Sequence, residues 1–383
     1  MRIAVLTTGR QDWSILQPLA RALAQSADFQ LCLVAGGMHG RGGRIPDEID
    51  GLRVDAKVDV LPQDDSRLAI ATAAGRTTEA VAEALNRVRA EALLLVGDRT
   101  ESLAAVVAAT CLQLPVIHLH GGEETEGAID NACRHAITKL SHLHLVAHES
   151  FARRVRQMGE EPSRVFVTGA LGIDAARTVE RMSRAELAAE LGITDVNLPW
   201  ILCTHHPTTL GEDPAREFSA VLEGLRRVMA RQPVELVFTV PNADAGNGAL
   251  VRLLRDFAQR HPRVHVVEAL GARRYYSMLS CVAVMVGNSS SGILEAPFFG
   301  LPVVNVGDRQ KGRLRSAHVV DVTPDADAVA DAVAQSLAPE RRAELTNVES
   351  PFGDGHATEK VLAALRAVAP TLANVRKRFH AVP

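Results

Sequence analysis

The sequence predicts an α/β protein with two Rossmann-like, doubly wound domains facing each other across a cleft. Three observations carry this. Short apolar runs alternate with helical patterns almost from end to end. The runs are continuous rather than alternating, as in parallel strands covered by helices on both faces. The chain has 383 residues, more than one ordinary core holds.

The first set of strand-like runs is 3–7, 31–35, 92–96, 116–119, 143–147 and 165–168. The second is 200–204, 234–240, 264–267, 282–286, 303–306 and 319–322. Helical patterns fall at 13–24, 77–90, 99–112, 216–230 and 249–260. A linking helix and a proline-marked turn place the domain boundary between 178 and 199. The expected division is 1–180 for an N-terminal domain, 181–365 for a C-terminal domain and 366–383 for a helical tail. Helical periodicity over 363–379 leaves that tail able to pack on either half.

Composition narrows the function. The chain is 47% hydrophobic and 23% charged, with a formal net charge of −3. Nothing suggests a basic arm or a polyanion-binding face, so no nucleic acid partner is expected. The apolar run at 3–7 is too short for a signal-peptide core or a membrane span, and no other stretch reaches membrane length, so no membrane partner is expected. The five cysteines are scattered, odd in number and without C-x-x-C spacing. That pattern reads as a reduced, cytoplasmic protein with neither disulfides nor a cysteine zinc site.

In open parallel sheets, ligands bind beyond the C-terminal ends of the strands. Polar chemistry collects there: Gly9-Arg10-Gln11-Asp12, Gly97-Asp98-Arg99, His120-Gly121-Gly122-Glu123, His205-His206-Pro207, Pro241-Asn242-Ala243-Asp244 and Gly287-Asn288-Ser289-Ser290-Ser291-Gly292.

The last of these is strand, then Gly-Asn-Ser-Ser-Ser-Gly, then helix, the arrangement of an anion site at a helix N-terminus. Gly287 and Gly292 would let the backbone approach a ligand, and Ser289 and Ser290 would add hydroxyl donors. The alternative is a serine that merely caps the helix, which calls for one serine and not three. Glu295, one turn beyond Gly292, faces the ligand or the solvent; facing the ligand, it could accept two hydroxyls of a ribose. The stretch is neither a G-x-S-x-G elbow nor a GxxxxGK[ST] loop. The glycine-rich 37–43 lacks dinucleotide order and reads as a mobile loop.

GNSSSGILEAPFFGLPVVNVGDRQKGR resembles the UDP-sugar segment of the hydrolysing UDP-N-acetylglucosamine 2-epimerases, and HLHGGEETEGAIDNACRHAITKLSHLH resembles that family's central signature. TGRQDWSIL, LLLVGDRTE, HHPTT and FTVPNADAG fall in family order along nearly the whole chain. The resemblance implies the two-domain GT-B fold. It implies elimination of UDP across C1–C2 of UDP-GlcNAc to a 2-acetamidoglycal, then addition of water with inversion at C2 to give ManNAc. It implies no cofactor: neither metal nor nicotinamide is called for. A homo-oligomer, dimer or tetramer, and a role in sialic acid-type or capsule synthesis follow from it too.

Residue by residue, Asp98 and Asp130 match the family's acid/base carboxylates, with helix capping as the alternative for each. His206 matches a histidine that contacts the diphosphate or shuttles a proton, with His205 as its neighbour facing away. Arg10 and Asp12 match a pair near sugar and phosphate. Ser14, Arg99 and Arg313 match further contacts, each with a plain structural alternative. Ser289, Ser290, Gly292 and Glu295 fall in the diphosphate and ribose segment, and Asn242 and Asp244 in the FTVPNADAG loop.

His120 stands where some members, including the animal branch, carry Glu. It can be the base, or the acid role can fall to Glu123 or Asp130. It can equally mark another sugar, such as the 2,4-diacetamido-6-deoxy substrate of the legionaminic acid route. H-x-H on a strand would send His118 and His120 to one face, yet no third ligand has metal-site spacing. Competing readings are a GT-B glycosyltransferase, a non-hydrolysing epimerase and a non-catalytic UDP-sugar sensor.

Overall fold

The protein is described by a computed structural model. It describes residues 1–40, 43–126, 128–208, 213–241, 246–345 and 348–381, without the side chains of Arg10 and Gln11. Among the described residues, fifteen strands occur in order: β1 Arg2–Thr7, β2 Gln30–Gly36, β3 Glu48–Ile49, β4 Leu52–Arg53, β5 Ala56–Val58, β6 Ala92–Val96, β7 Val116–Leu119, β8 Leu143–Val146, β9 Val165–Val167, β10 Trp200–Thr204, β11 Glu235–Thr239, β12 Val264–Val267, β13 Val284–Gly287, β14 Val303–Val306 and β15 Val319–Val322. The expected strands are all present within two residues at either end. The β3–β4 hairpin and β5 were not expected: they are two or three residues long, too short for a periodicity to register.

The chain divides into two compact units. The first holds Met1–Glu123, Asp130–Arg177 and Phe352–Pro383; the second holds Glu124–Ile129 and Thr178–Pro351. The first unit has a seven-stranded sheet in the order β5-β2-β1-β6-β7-β8-β9, paired parallel throughout. Ile3, Ala4 and Val5 of its central strand are wholly buried, which is what a strand covered on both faces requires. The second unit has a six-stranded parallel sheet in the order β12-β11-β10-β13-β14-β15.

The order in which strands are added reverses once in each sheet. The first turns back between β1 and β6, the second between β10 and β13. Open α/β sheets offer their ligand crevice at such a switch point, beyond the strand ends. The loops carrying Asp12 and Asp98 leave one switch point; those carrying His206 and Ser289 leave the other.

The chain from Phe352 onward returns to the first unit, so residues 352–365 lie there and not in the second domain as expected. The reason is apolar. Ala357, Val361, Ala364, Leu365, Val368 and Leu372 line one face of helix Ala357–Leu372 and join the core around Ile3, Leu16 and Leu33. The helix begins earlier and ends earlier than its expected span of 363–379. Asp174 anchors its start, accepting the backbone N–H of Ala357 at 2.8 Å and of Thr358 at 2.5 Å. Among the described residues, no helix is long and apolar enough to cross a membrane.

Candidate active site

In the first unit, Gly97 and Asp98 follow β6, and His120 follows β7. His120 has a left-handed backbone, φ 64°. A side chain is uncommon there, and such conformations collect at functional sites. The turn breaks the strand's alternation, so His118 and His120 part ways instead of sharing a face. His118 is wholly buried; its Nε2 donates to the Gly97 carbonyl at 2.8 Å, and burial pulls the imidazole down to about 3. His120 turns to Glu123, with Nδ1 2.8 Å from Oε1. A carboxylate only accepts, so Nδ1 carries the proton. His120 Nε2 is buried and has no hydrogen-bond partner among the described residues.

Arg134, on helix Asp130–Leu140, reaches the same place. It is 1% exposed, and its Nη2 pairs with the Asp98 carboxylate. Its Nη1 donates to the Glu123 carbonyl at 3.0 Å and to Asn131 Oδ1 at 3.3 Å. Asp130 opens that helix. Burial first, then the charges of Asp130 and Glu101, push the Cys133 thiol up to about 11. Asp98, Glu123 and, through Glu123, His120 are therefore brought together around Arg134, which the sequence left able to reach the site without counting it among the site residues. The segment around it reads in the sequence as a helix and strand that pack a domain core; two strand-end loops give this arginine its partners.

The remaining first-unit candidates carry local duties. Asp12 accepts the Thr8 N–H at 2.7 Å and the Thr8 hydroxyl, closing the turn between β1 and helix Arg10–Ala24. Arg99 lies 3.5 Å from Glu101. Ser14 is half-buried on helix Arg10–Ala24. The Arg10 side chain, and Asn242 and Asp244 of the second unit, lie outside the described residues.

In the second unit, β10 and β13 end side by side, Thr204 against Gly287. Gly287 has φ 128°, and a Cβ there would sit 2.1 Å from the Thr204 carbonyl, so only glycine fits. The demand for glycine comes from the neighbouring strand. Gly292 needs a packing reason as well: a Cβ would meet Val303 Cγ1 at 3.0 Å and Met285 Sδ at 3.6 Å. A side chain there would face the sheet, so packing alone already asks for glycine at this position.

Asn288 fastens this end of the sheet. Its Oδ1 accepts the His206 N–H at 2.7 Å, and its Nδ2 donates to the His206 carbonyl at 2.9 Å. Its own carbonyl accepts from Gln310 Nε2 at 2.8 Å and Arg309 Nη1 at 3.3 Å. His206 is 4% exposed and held by its backbone on both sides. His205 turns into the core and stacks on Phe218, ring centroids 5.3 Å apart. Burial first, and Arg309 second, pull its imidazole down to about 3, so it is neutral near pH 7.

Of the three serines, Ser289 is the cap: its Oγ accepts the Ser291 N–H at 3.3 Å, leading into Ser290–Leu294. Ser291 Oγ accepts from the Tyr275 hydroxyl at 2.5 Å. Ser290 is half-exposed at the first position of that helix. Glu295 is 4% exposed, which removes the solvent-facing reading. Burial, and then the Glu295 charge, push the Tyr275 phenol upward. Arg313 is 9% exposed, and its N–H donates to the Gln310 carbonyl at 3.3 Å. Sequence reasoning missed Asn288, Arg309 and Gln310, although all three stand inside the quoted segment 287–313. Among the described residues, no group of three or more His, Cys, Asp or Glu is placed to hold a metal ion.

Two parallel-sheet units, each with polar strand-end loops at its switch point, define a two-domain α/β protein of GT-B-like architecture. The fold agrees in detail with the UDP-GlcNAc 2-epimerase from Neisseria meningitidis solved with UDP-GlcNAc: TM-score 0.81 at 17% identity, covering 96% of this chain and 100% of that one. A family model described as UDP-N-acetylglucosamine 2-epimerase matches residues 21–366. The chain belongs to that family, as a hydrolysing UDP-sugar 2-epimerase. The UDP-N,N'-diacetylbacillosamine 2-epimerase (hydrolyzing) of Legionella pneumophila is 32% identical over 96% of both chains. The GDP/UDP-N,N'-diacetylbacillosamine 2-epimerase (hydrolyzing) of Campylobacter jejuni is 32% identical over 84% of both.

Proposed function

We propose that the protein hydrolyses UDP-N,N'-diacetylbacillosamine with inversion at C2, giving the free manno-configured 2,4-diacetamido-6-deoxy sugar and UDP. One observation carries the choice of sugar: two relatives at 32% identity bear that activity in their names. UDP-GlcNAc, the substrate first expected from the sequence, is the second reading. It is favoured by a relative from Neisseria meningitidis, 26% identical over 88% of this chain and described as a UDP-N-acetylglucosamine 2-epimerase.

A base removes the C2 proton as the C1–O bond breaks, leaving a 2-acetamidoglycal and UDP. Water then adds its oxygen to C1 while a proton reaches C2 from the other face. Asp98 and Asp130 supply carboxylates for these transfers, and the His120–Glu123 pair supplies an imidazole with Nε2 free of any hydrogen bond. Ser290, Glu295, His206, Arg10 and Arg313 hold the diphosphate and ribose, with Arg10 offsetting charge that grows on the leaving group. Ser14, Arg99, Asn242 and Asp244 contribute contacts to the same substrate, and Asp12 and Ser289 shape the loops that do so. Catalysis draws on no metal or nicotinamide, and the working form is a cytoplasmic homo-oligomer.

Proton NMR in D2O with each UDP-sugar tests this. The expected result is UDP release and a free 2-epimer carrying deuterium at C2, faster from the diacetamido substrate. Product without deuterium would reject the elimination, and faster turnover of UDP-GlcNAc would select the second reading.

A further inference from the structure

We infer that Arg134 is the positioning residue of the catalytic cluster, an inference that rests on the reaction proposed above. Asp98 stands on the loop after β6, Glu123 on the loop after β7, and Asn131 in the first turn of helix Asp130–Leu140. These are three separate pieces of backbone, and one guanidinium reaches all three. Nη2 pairs with Asp98, while Nη1 donates to the Glu123 carbonyl and to Asn131 Oδ1.

The residues so tied are those that hold or flank the proposed proton carriers. Asp98 is bound directly. The Glu123 carbonyl fixes the residue whose carboxylate grips His120. Asn131 follows Asp130 in the chain.

Helix surface chemistry does not explain a residue here that is 1% exposed. A buried guanidinium carries a large desolvation cost unless its donors are matched. Its planar fork meets several acceptors with little further ordering, which an ammonium on a flexible stem cannot do. A strand-end carboxylate with no such partner would sample several rotamers, and small misplacements of reacting groups cost rate steeply. Arg134 therefore acts on kcat by fixing Asp98 and the Glu123 backbone.

The test uses the full-length protein with Arg134→Ala and Arg134→Lys. Turnover is followed by UDP release, UDP affinity by calorimetry and folding by thermal melting. The expected result for Arg134→Ala is a loss of kcat of about 100-fold or more, KM and UDP affinity within about threefold, and partial recovery in millimolar guanidinium. Arg134→Lys should fold and lose about tenfold or more in kcat, with no guanidinium recovery. Near wild-type kcat in either variant overturns the inference. So do a parallel loss of UDP affinity, or unfolding of both variants, since the residue would then serve the fold at large. A wild type inactive on both UDP-sugars fails the parent reaction first and takes this inference with it.

Discussion

The Nδ1 of His120 lies 2.8 Å from Oε1 of Glu123, three residues further along the chain, and the tight turn that allows this holds His120 at φ 64°. The pairing fixes the tautomer and aims the other ring nitrogen at space that no described side chain fills with a hydrogen bond. His120→Gln keeps a polar side chain but cannot change protonation state. It should lower kcat and shift or flatten one limb of the pH–rate profile. An unchanged profile at reduced rate would mean that the imidazole only shapes the site.

Asp98→Asn retains the size of the side chain and most of its contacts. It should abolish turnover while leaving UDP affinity within a few-fold, because Asp98 belongs to the first unit and the Ser289–Arg313 segment to the second. Turnover near wild type would remove Asp98 from the chemistry.

The serine run separates into distinct duties. Ser289→Ala removes a cap and should lower stability by about 1 kcal/mol. Ser290→Ala should leave the melting temperature nearly unchanged and weaken UDP binding by about 1–2 kcal/mol, the size of one charge-assisted hydrogen bond. The reverse pattern, with Ser289 governing affinity and Ser290 stability, would contradict both assignments.

Glu160 offers a test of acid stability away from the chemistry. It is 2% exposed and lies 2.6 Å from Lys139, 2.7 Å from Lys377 and 2.9 Å from His144. Burial works against its ionisation, but these hydrogen bonds and charges outweigh it and hold the carboxyl at about 2, against 4.5 in a free side chain. A folded value below the unfolded one contributes stability above pH 4.5, and this is lost as the pH falls towards 2. Chemical denaturation from pH 6 down to 2.5 should show a steeper loss for the wild type than for Glu160→Gln. Equal slopes would place the acid sensitivity elsewhere.

The strands were legible because both faces of each are covered, so their apolar runs stand unbroken in the sequence. The switch-point loops were legible too, as polar or glycine-rich breaks directly after such runs. What stayed hidden was partnership. Arg134 reads as part of a core-packing helix until Asp98 and the Glu123 carbonyl meet it. Asn288 reads as one more polar loop residue until it clasps His206 from both sides. Gly292 suggested a ligand because glycine permits close approach, and the packing of Val303 against the same position was not visible in the sequence. The final helix showed an apolar face without showing which core it would join.

That helix has a bearing on the order in which the protein can form as it is made. Its residues complete a cluster begun by Ile3, so the first unit cannot close its core until Leu372 has left the ribosome. The second unit is fully synthesised by Pro351. Nascent chains arrested with residue 351 just outside the exit tunnel should resist protease across 178–351 while 1–177 remains open to cleavage; protection of both would show that the early core closes without its last helix. The unit whose strands are made earlier is then the one that matures later, and the proposed proton-transfer residues within it wait on a helix made more than two hundred residues after them.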